Sequence, residues 1–87
     1  MIVTVTQEDI DKGICGNAVN CAIAMAVSRK TGRAVRVSYD AVTVFDPEDR
    51  GDDKYYKLSF PAKQFIAKFD RGEREKLKPV TFSLKGI

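Results

Sequence analysis

A run of small side chains at residues 20–27, Asn-Cys-Ala-Ile-Ala-Met-Ala-Val, places the strongest constraint on how this chain folds. Alanine is the best helix former, and short side chains let a helix backbone lie close to a neighbouring element. We therefore predict one short helix that begins at the first or second residue of the run and stops at Gly32, where glycine permits a left-handed C-cap. Helical spacing directs three of its side chains towards a core: Ile23, Ala26 and Val27.

Length and composition indicate one soluble globular domain. The chain has 87 residues, of which 44% are hydrophobic and 31% are charged. A chain of this size forms a single domain, here residues 1–87, with a modest core. No apolar run approaches the roughly 18 residues of a membrane span, and residues 1–6 lack the basic and apolar segments of a signal peptide. We expect a cytoplasmic protein.

A second, shorter helix is predicted near the start of the chain. Alternating side chains predict a first strand over residues 2–6, and Thr6 and Asp9 then have the spacing of a capping box. Gly13 is expected to close the helix in a left-handed conformation. The predicted helix therefore covers residues 7–12.

The central part of the sequence has the alternation of β-strands. Valines at positions 35 and 37 and at positions 42 and 44 alternate with other residues, which predicts two strands joined as a hairpin around residues 39–41, with a single bulged strand as the alternative. Residues 55–60 predict another strand, with Tyr56, Leu58 and Phe60 on one face.

The clearest amphipathic helix follows, and a strand comes after it. Pro61 suits the first turn of a helix, and Gly72 closes it. The apolar positions have spacings of three and four residues: Ala62, Phe65, Ile66 and Phe69. Residues 79–84 predict the last strand. The element order is β-α-α-β-β-β-α-β, which favours an α+β fold with the helices on one face of a mixed, mainly antiparallel sheet.

The order of several short motifs resembles a group of small uncharacterised proteins of tailed phages and prophages. The motifs are Val5-Thr6 with Ile10 and Gly13, then Cys21-Ala22-Ile23-Ala24, Phe65-Ile66 with Phe69-Asp70 and Gly72, and Pro79-Val80-Thr81-Phe82. The group has Cys-Pro-Ile-Ala at the helix start, so Ala22 here replaces its proline. The resemblance covers most of the chain and implies a phage or mobile-element origin, but it implies no activity.

The sequence lacks residues that common kinds of catalysis and metal binding need. The sequence has no histidine, which removes the commonest general base and the commonest ligand of zinc and iron. The spacing of Cys15 and Cys21 does not match a structural zinc site. We expect both cysteines as thiols; buried packing is the main interpretation, and a reactive Cys15 or a Cys21 with a depressed pKa at a helix N-terminus is the alternative. No cofactor or metal is expected.

The acidic segment over residues 46–53 has part of the pattern of a calcium-binding loop. Asp46, Glu48 and Gly51 match positions 1, 3 and 6 of such a loop, but Arg50 and Lys57 occupy positions 5 and 12, where oxygen ligands are needed. We therefore predict a solvated turn between two strands. Phosphate-binding glycine loops are also missing from the sequence.

The charge distribution gives the remaining functional signal. The formal net charge is +3, but residues 46–53 hold five acidic residues and one basic residue, which leaves 14 basic and seven acidic residues elsewhere. A basic surface for an anionic partner is one interpretation and an ordinary solvated surface is the other. The candidate binding residues are Arg29, Lys30, Arg33, Arg36, Lys54, Tyr55 and Lys57.

We expect a non-enzymatic, phage-type protein that binds a host or phage macromolecule. The leading hypothesis is that this macromolecule is a protein. The alternative is nucleic-acid binding through the basic residues, with Tyr55 as a stacking side chain. An enzyme that uses Asp, Lys or Cys chemistry is a third hypothesis. A homodimer formed through an unpaired strand edge, such as the first or last strand, is a further alternative. No membrane partner is expected.

Overall fold

The computed structural model describes residues 1–48 and 50–87 and confirms the α+β class and the element order. The elements in chain order are strand β1 (Ile2–Val5), helices α1 (Gln7–Lys12) and α2 (Ala22–Thr31), strands β2 (Val35–Val37), β3 (Ala41–Val44) and β4 (Lys54–Lys57), helix α3 (Phe60–Asp70), a 3₁₀ turn (Arg74–Lys76), and strands β5 (Val80–Ser83) and β6 (Lys85–Gly86). The 3₁₀ turn and β6 were not predicted.

The capping box predicted for α1 is present. The Thr6 hydroxyl accepts a hydrogen bond from the Asp9 amide (3.2 Å), and the Asp9 carboxylate accepts one from the Thr6 amide (2.9 Å). These two bonds satisfy amides that a helix start leaves without partners. The helix has the predicted bounds, and its Ile10 side chain is completely buried.

The predicted left-handed conformation of Gly13 is wrong. Gly13 has φ −63° and ψ 153°, which is extended backbone that any residue adopts. Glycine is needed here for close packing instead. A Cβ atom at this position would lie 2.7 Å from the Asp9 carbonyl oxygen, 2.8 Å from the Ala22 amide nitrogen and 2.8 Å from the Phe69 ring.

Helix α2 is the predicted helix of small side chains. Cys21 is its N-cap, and the left-handed Gly32 (φ 69°) is its C-cap. Five of its residues are buried: Ala22, Ile23, Ala24, Ala26 and Val27. These side chains, together with those of α1 and α3 and the inward-facing strand residues, form one hydrophobic core.

All strand pairs in the described residues are antiparallel, and they form two sheets with the orders β1-β5 and β2-β3-β4-β6. The C-terminal segment joins them, because β5 pairs with β1 and β6, which begins two residues after the end of β5, pairs with β4. The structure therefore divides the expected sheet into two parts that share one bent strand segment.

Side chains on the two sides of the strands have different environments. Val35, Val37, Val42 and Val44 are buried. The side chains between them in sequence, such as Arg36, face away from the core. The helices thus cover one face of the four-stranded sheet, as expected, and the other face is open to solvent.

The strand predicted over residues 55–60 ends earlier than expected. Ser59 caps α3, because its hydroxyl accepts a hydrogen bond from the Ala62 amide, and helix α3 begins at Phe60. Phe60 is therefore 71% exposed at the first turn of a helix, and it does not share a strand face with Tyr56 and Leu58. The four apolar side chains predicted for this helix are all buried.

Across the described residues, no helix combines the length and the apolar character that a bilayer crossing needs.

Candidate functional site

The open side of the four-stranded sheet is the strongest candidate site. We call it the outer face and define it by the solvent-facing side chains of the four strands: Arg36, Ala41, Thr43, Tyr55, Lys57 and Lys85. Three of these six side chains are cations, and the four strands contain no acidic residue. All charged side chains of the outer face are therefore positive.

Strand register places the outer-face residues in two rows. One row contains Arg36, Thr43 and Tyr55 on adjacent strands. Side chains that are directly opposite in antiparallel strands have Cβ atoms about 5 Å apart. Small Thr43 thus lies between a guanidinium group and an aromatic ring, which leaves both of them accessible from above the sheet.

The second row brings two like charges together. Ala41 is opposite Lys57, and Lys57 is opposite Lys85. Like charges in directly opposite positions destabilise a sheet. Neither lysine forms an ion pair with an acidic residue in the part of the chain that the structure describes. No acidic side chain among the described residues therefore offsets the repulsion between Lys57 and Lys85.

Exposed apolar side chains accompany the cations. Tyr55 is 51% exposed, and Ile87, whose amide donates to the Tyr55 carbonyl, is 81% exposed. Phe45 follows β3 directly and is 36% exposed. The outer face therefore offers flat apolar contact surface beside its positive charges.

A hollow of about 360 Å³ extends this surface beyond the strands. It lies between the end of β4, the start of α3 and the C-terminal strand segment. Three lysines line it, Lys57, Lys63 and Lys85, and two of them belong to the outer face. The sequence pattern assigned Lys63 to the polar side of α3 and gave no sign of its proximity to the other two.

Four of the candidate residues lie away from the outer face. Arg29 and Lys30 border β1, and Arg33 is partly buried in the loop before β2. Lys54 is opposite Val44, so it points to the side of the sheet away from Tyr55. The structure thus brings together only Arg36, Tyr55 and Lys57 of the seven candidates.

Arg29 has a structural role that its sequence position did not reveal. Its guanidinium group binds both carboxylate oxygens of Asp9 (2.7 and 2.8 Å) and the Thr4 carbonyl (3.1 Å). Asp9 is only 1% exposed. Burial acts to raise the pKa of Asp9, but the hydrogen bonds from Arg29 and Thr6 outweigh it and hold this pKa below its ordinary value. Arg29 thus joins α2, α1 and the edge of β1.

Arg74 has a similar role and was missed by the sequence patterns. Its guanidinium group donates to the carbonyl oxygens of Ile10 (2.9 Å), Asp11 (2.9 Å) and Gly13 (2.7 Å), and lies 5.0 Å from the centre of the Phe69 ring. The carbonyls at a helix C-terminus lack partners within the helix. Arg74 therefore caps α1 from a distant part of the sequence.

The acidic segment connects β3 to β4 and most of its described residues are exposed, as predicted, but Asp46 is buried and organises the loop through hydrogen bonds. The Asp46 carboxylate accepts hydrogen bonds from the backbone amides of Glu48 (2.9 Å) and Arg50 (3.0 Å). The Asp46 amide donates a hydrogen bond to the Asp53 carboxylate (2.7 Å). The bond from the Glu48 amide is the largest cause of the lowered pKa of Asp46. Residue 49, one acid of this loop, lies outside the described residues. Among the rest of the chain, no group of three or more potential ligand side chains could hold a metal ion.

Both cysteines are free thiols. Cys21 is buried, and its sulfur accepts a hydrogen bond from the Ala24 amide (3.4 Å). Burial raises the pKa of the Cys21 thiol, so the alternative of a depressed pKa is wrong. Cys15 is partly buried, and its sulfur lies 3.5 Å from the Arg74 guanidinium group.

Contacts from elsewhere in the chain cover parts of two strand edges, those of β1 and β2. In the last strand segment, β5 pairs only with β1 and β6 pairs only with β4, so each part keeps one free edge. The free edge of β1 is partly covered by the bond from Arg29 to the Thr4 carbonyl. At the opposite edge, the Val37 amide of β2 donates to the Ala18 carbonyl (2.8 Å).

Comparisons with protein families, with curated proteins and with solved structures found no match. The geometry of the chain itself is therefore the basis for a functional proposal.

Proposed function

We propose that this protein is a non-enzymatic binding protein whose outer face binds single-stranded nucleic acid. The observation that carries the proposal is the direct cross-strand pairing of Lys57 with Lys85 on a face without acidic residues. A phosphate group bound between these two ammonium groups relieves their repulsion. Binding of an anionic partner therefore removes a repulsion that is present in the free protein, and this relief adds to the affinity.

The remaining side chains of the outer face favour a nucleic acid over other anions. Exposed Tyr55 is available to stack on a base, and Arg36 in the same row is available for a phosphate. Sheet faces that combine aromatic rings with cations bind unstacked bases of single strands. A duplex keeps its bases stacked and gives Tyr55 no base to contact.

The composition of the outer face is less suited to a protein partner. Lysine is depleted in protein interfaces relative to the rest of a protein surface, whereas arginine and tyrosine are enriched. Two of the three outer-face cations are lysines. A protein partner was our first expectation from the sequence, and we expect such a partner to bind a different surface of the molecule.

The resemblance to phage proteins supports a phage origin and a site of action in the cytoplasm of the host cell. The absence of histidine from the sequence supports a binding role over catalysis. We propose this origin and location together with the binding function.

Fluorescence anisotropy tests the proposal with a 5′-labelled oligo(dT) of about 12 nucleotides, within the site sizes typical of single-strand binding domains. Wild-type protein should bind it, and the logarithm of the affinity should fall with the logarithm of salt concentration with a slope of about −2, as expected for three phosphate contacts on a single strand. The triple variant Arg36→Ala, Lys57→Ala, Lys85→Ala should lose at least about tenfold in affinity.

The matched control is Lys30→Ala, Lys68→Ala, Lys78→Ala, which removes the same charge from exposed lysines elsewhere. It should retain most of the affinity. Equal losses in the two triple variants would show that binding depends on net charge and not on the outer face. Absence of wild-type binding at low salt would overturn the proposal. Tyr55→Ala should weaken binding while leaving the salt slope unchanged, and Tyr55→Phe should restore it.

A further inference from the structure

A cleft of about 270 Å³ lies beside α3 and shares Lys63 with the hollow next to the outer face. Its walls are α3, the loop before α2 and the turn between β2 and β3. Three core side chains, Cys21, Val37 and Ile66, contribute to its lining. Each of them is less than 10% exposed, at 2%, 6% and 8% respectively. The cleft thus opens onto the hydrophobic core.

Two opposite charges border this cleft along one helix. Lys63 and Asp70 both line it, and they are seven residues, or two helical turns, apart on α3. The rise of an α-helix places them about 10 Å apart along its axis. One oxygen of Asp70 accepts a hydrogen bond from the Gly16 amide (2.9 Å), which fixes the carboxylate beside the loop.

The surroundings of the cleft carry exposed apolar side chains. Tyr39 lines it from the β2–β3 turn and is 85% exposed. Ile14 and Val19, in the loop that forms one wall, are 51% and 53% exposed. An exposed tyrosine beside an apolar pocket is typical of the centre of a protein interface.

We infer that this cleft binds an extended peptide segment of a protein partner. The segment places an apolar side chain over Ile66, an acidic residue towards Lys63 and a basic residue towards Asp70. An extended chain advances about 3.3 Å per residue, so about three residues span the distance between the two charges.

Selection from a display library of random 12-residue peptides tests the inference, with the wild-type protein as bait. Enriched peptides should share an apolar residue with an acidic residue on one side and a basic residue on the other, about three positions apart. A synthetic copy of the most enriched peptide should perturb the NMR resonances of Tyr39, Ile66 and Ala67.

Ala67→Trp fills the cleft from the exposed side of α3 and should weaken binding of that peptide at least about tenfold. The control Lys68→Trp places the same indole group at the next residue, which does not line the cleft, and should leave the affinity within about twofold. Circular dichroism spectra and thermal unfolding establish that both variants are folded.

A charge exchange provides the decisive measurement. The double variant Lys63→Glu, Asp70→Lys should lose the selected peptide and bind a synthetic peptide with the two charges exchanged. Failure of the library to yield any peptide, equal effects of the two tryptophan variants, or absence of rescue by the exchanged peptide would each overturn the inference. Perturbation of the same resonances by free leucine at similar concentration would assign the cleft to small molecules instead.

Discussion

Arg29 and Arg36 are seven positions apart in the sequence, but the fold gives them opposite environments. The Arg29 guanidinium group binds a buried carboxylate and a strand carbonyl, whereas Arg36 stands on a sheet face without acidic residues. Arg74 resembles Arg29, because all its polar contacts lie within the protein. The comparison shows that charge density in the sequence does not separate an arginine that stabilises the fold from one that faces solvent. The partners that tertiary structure supplies make that distinction.

The largest expected effect in this comparison is the loss of Arg29. Arg29→Ala leaves Asp9 buried without its charge partner, and removal of one member of a buried pair costs 3–5 kcal/mol. Because the Arg29 side chain is itself 51% exposed, we expect the lower end of this range, about 3 kcal/mol of unfolding free energy. Urea denaturation measures it. Lys30→Ala, the matched control, should change stability by less than about 0.5 kcal/mol, and equal effects would contradict the role of Arg29.

Removal of Arg74 should have the next largest effect. Arg74→Ala withdraws three hydrogen bonds from the end of α1 and the contact with the Phe69 ring, and we expect a loss of about 2 kcal/mol. Arg74→Lys should recover less than half of this loss, because one ammonium group cannot reproduce the planar geometry that reaches three carbonyls. Full recovery by lysine would show that positive charge alone stabilises the helix end.

Acid titration sharpens the role of Arg29 further. The folded-state pKa of Asp9 lies below its unfolded value of 3.8, so the ionised carboxylate stabilises the fold above that pH. This stabilisation is lost as the pH falls below 3.8 through the folded pKa. The stability difference between wild type and Arg29→Ala should therefore shrink between pH 6 and pH 2.5.

Other carboxylates do not obscure this difference. Hydrogen bonds from Lys76 and Arg71 lower the pKa of Glu73 to about 2, but Glu73 is present in both proteins and its effect cancels in the comparison. A stability difference that stays constant with pH would show that Arg29 acts through packing and not through its charge.

The smallest effect should have the opposite sign. Lys57→Glu replaces a repulsive cross-strand pair with an attractive one opposite Lys85, which should stabilise the protein by about 0.5 kcal/mol. The same change should abolish oligonucleotide binding. Lys54→Glu, three residues earlier and on the other side of the sheet, should leave binding within about threefold. A destabilised Lys57→Glu protein would show that the lysine pair is not under electrostatic strain.

Local patterns predicted the helices well because their signals lie within a few residues of each other. The capping box of α1, the Gly32 C-cap of α2 and the amphipathic side of α3 depend on contacts between neighbours in sequence. The same patterns failed for the conformation of Gly13, the C-cap of α1, where glycine is required by the close approach of the Ala22 backbone and of the Phe69 ring, 56 positions later.

The candidate site was less predictable, because register decides it. Sequence alternation placed Tyr55 and Lys57 on one side of a strand, but nothing local indicated that Lys85 would lie opposite Lys57. The clustering of basic residues in the sequence instead favoured Arg29, Lys30 and Arg33 as binding residues, and the fold places all three away from the outer face. The cleft was missed for the same reason, since its lining comes from three separate parts of the chain.

The sequence by itself determined the small-residue helix, the amphipathic α3 and the α+β class, since periodicity and capping act over one or two helical turns. Tertiary structure decided which arginines stabilise the fold, which lysines face each other and where the core opens into a cleft. Those outcomes depend on residues far apart in the chain, and their energies arise only when packing and strand register bring the charged groups within a few ångströms of each other.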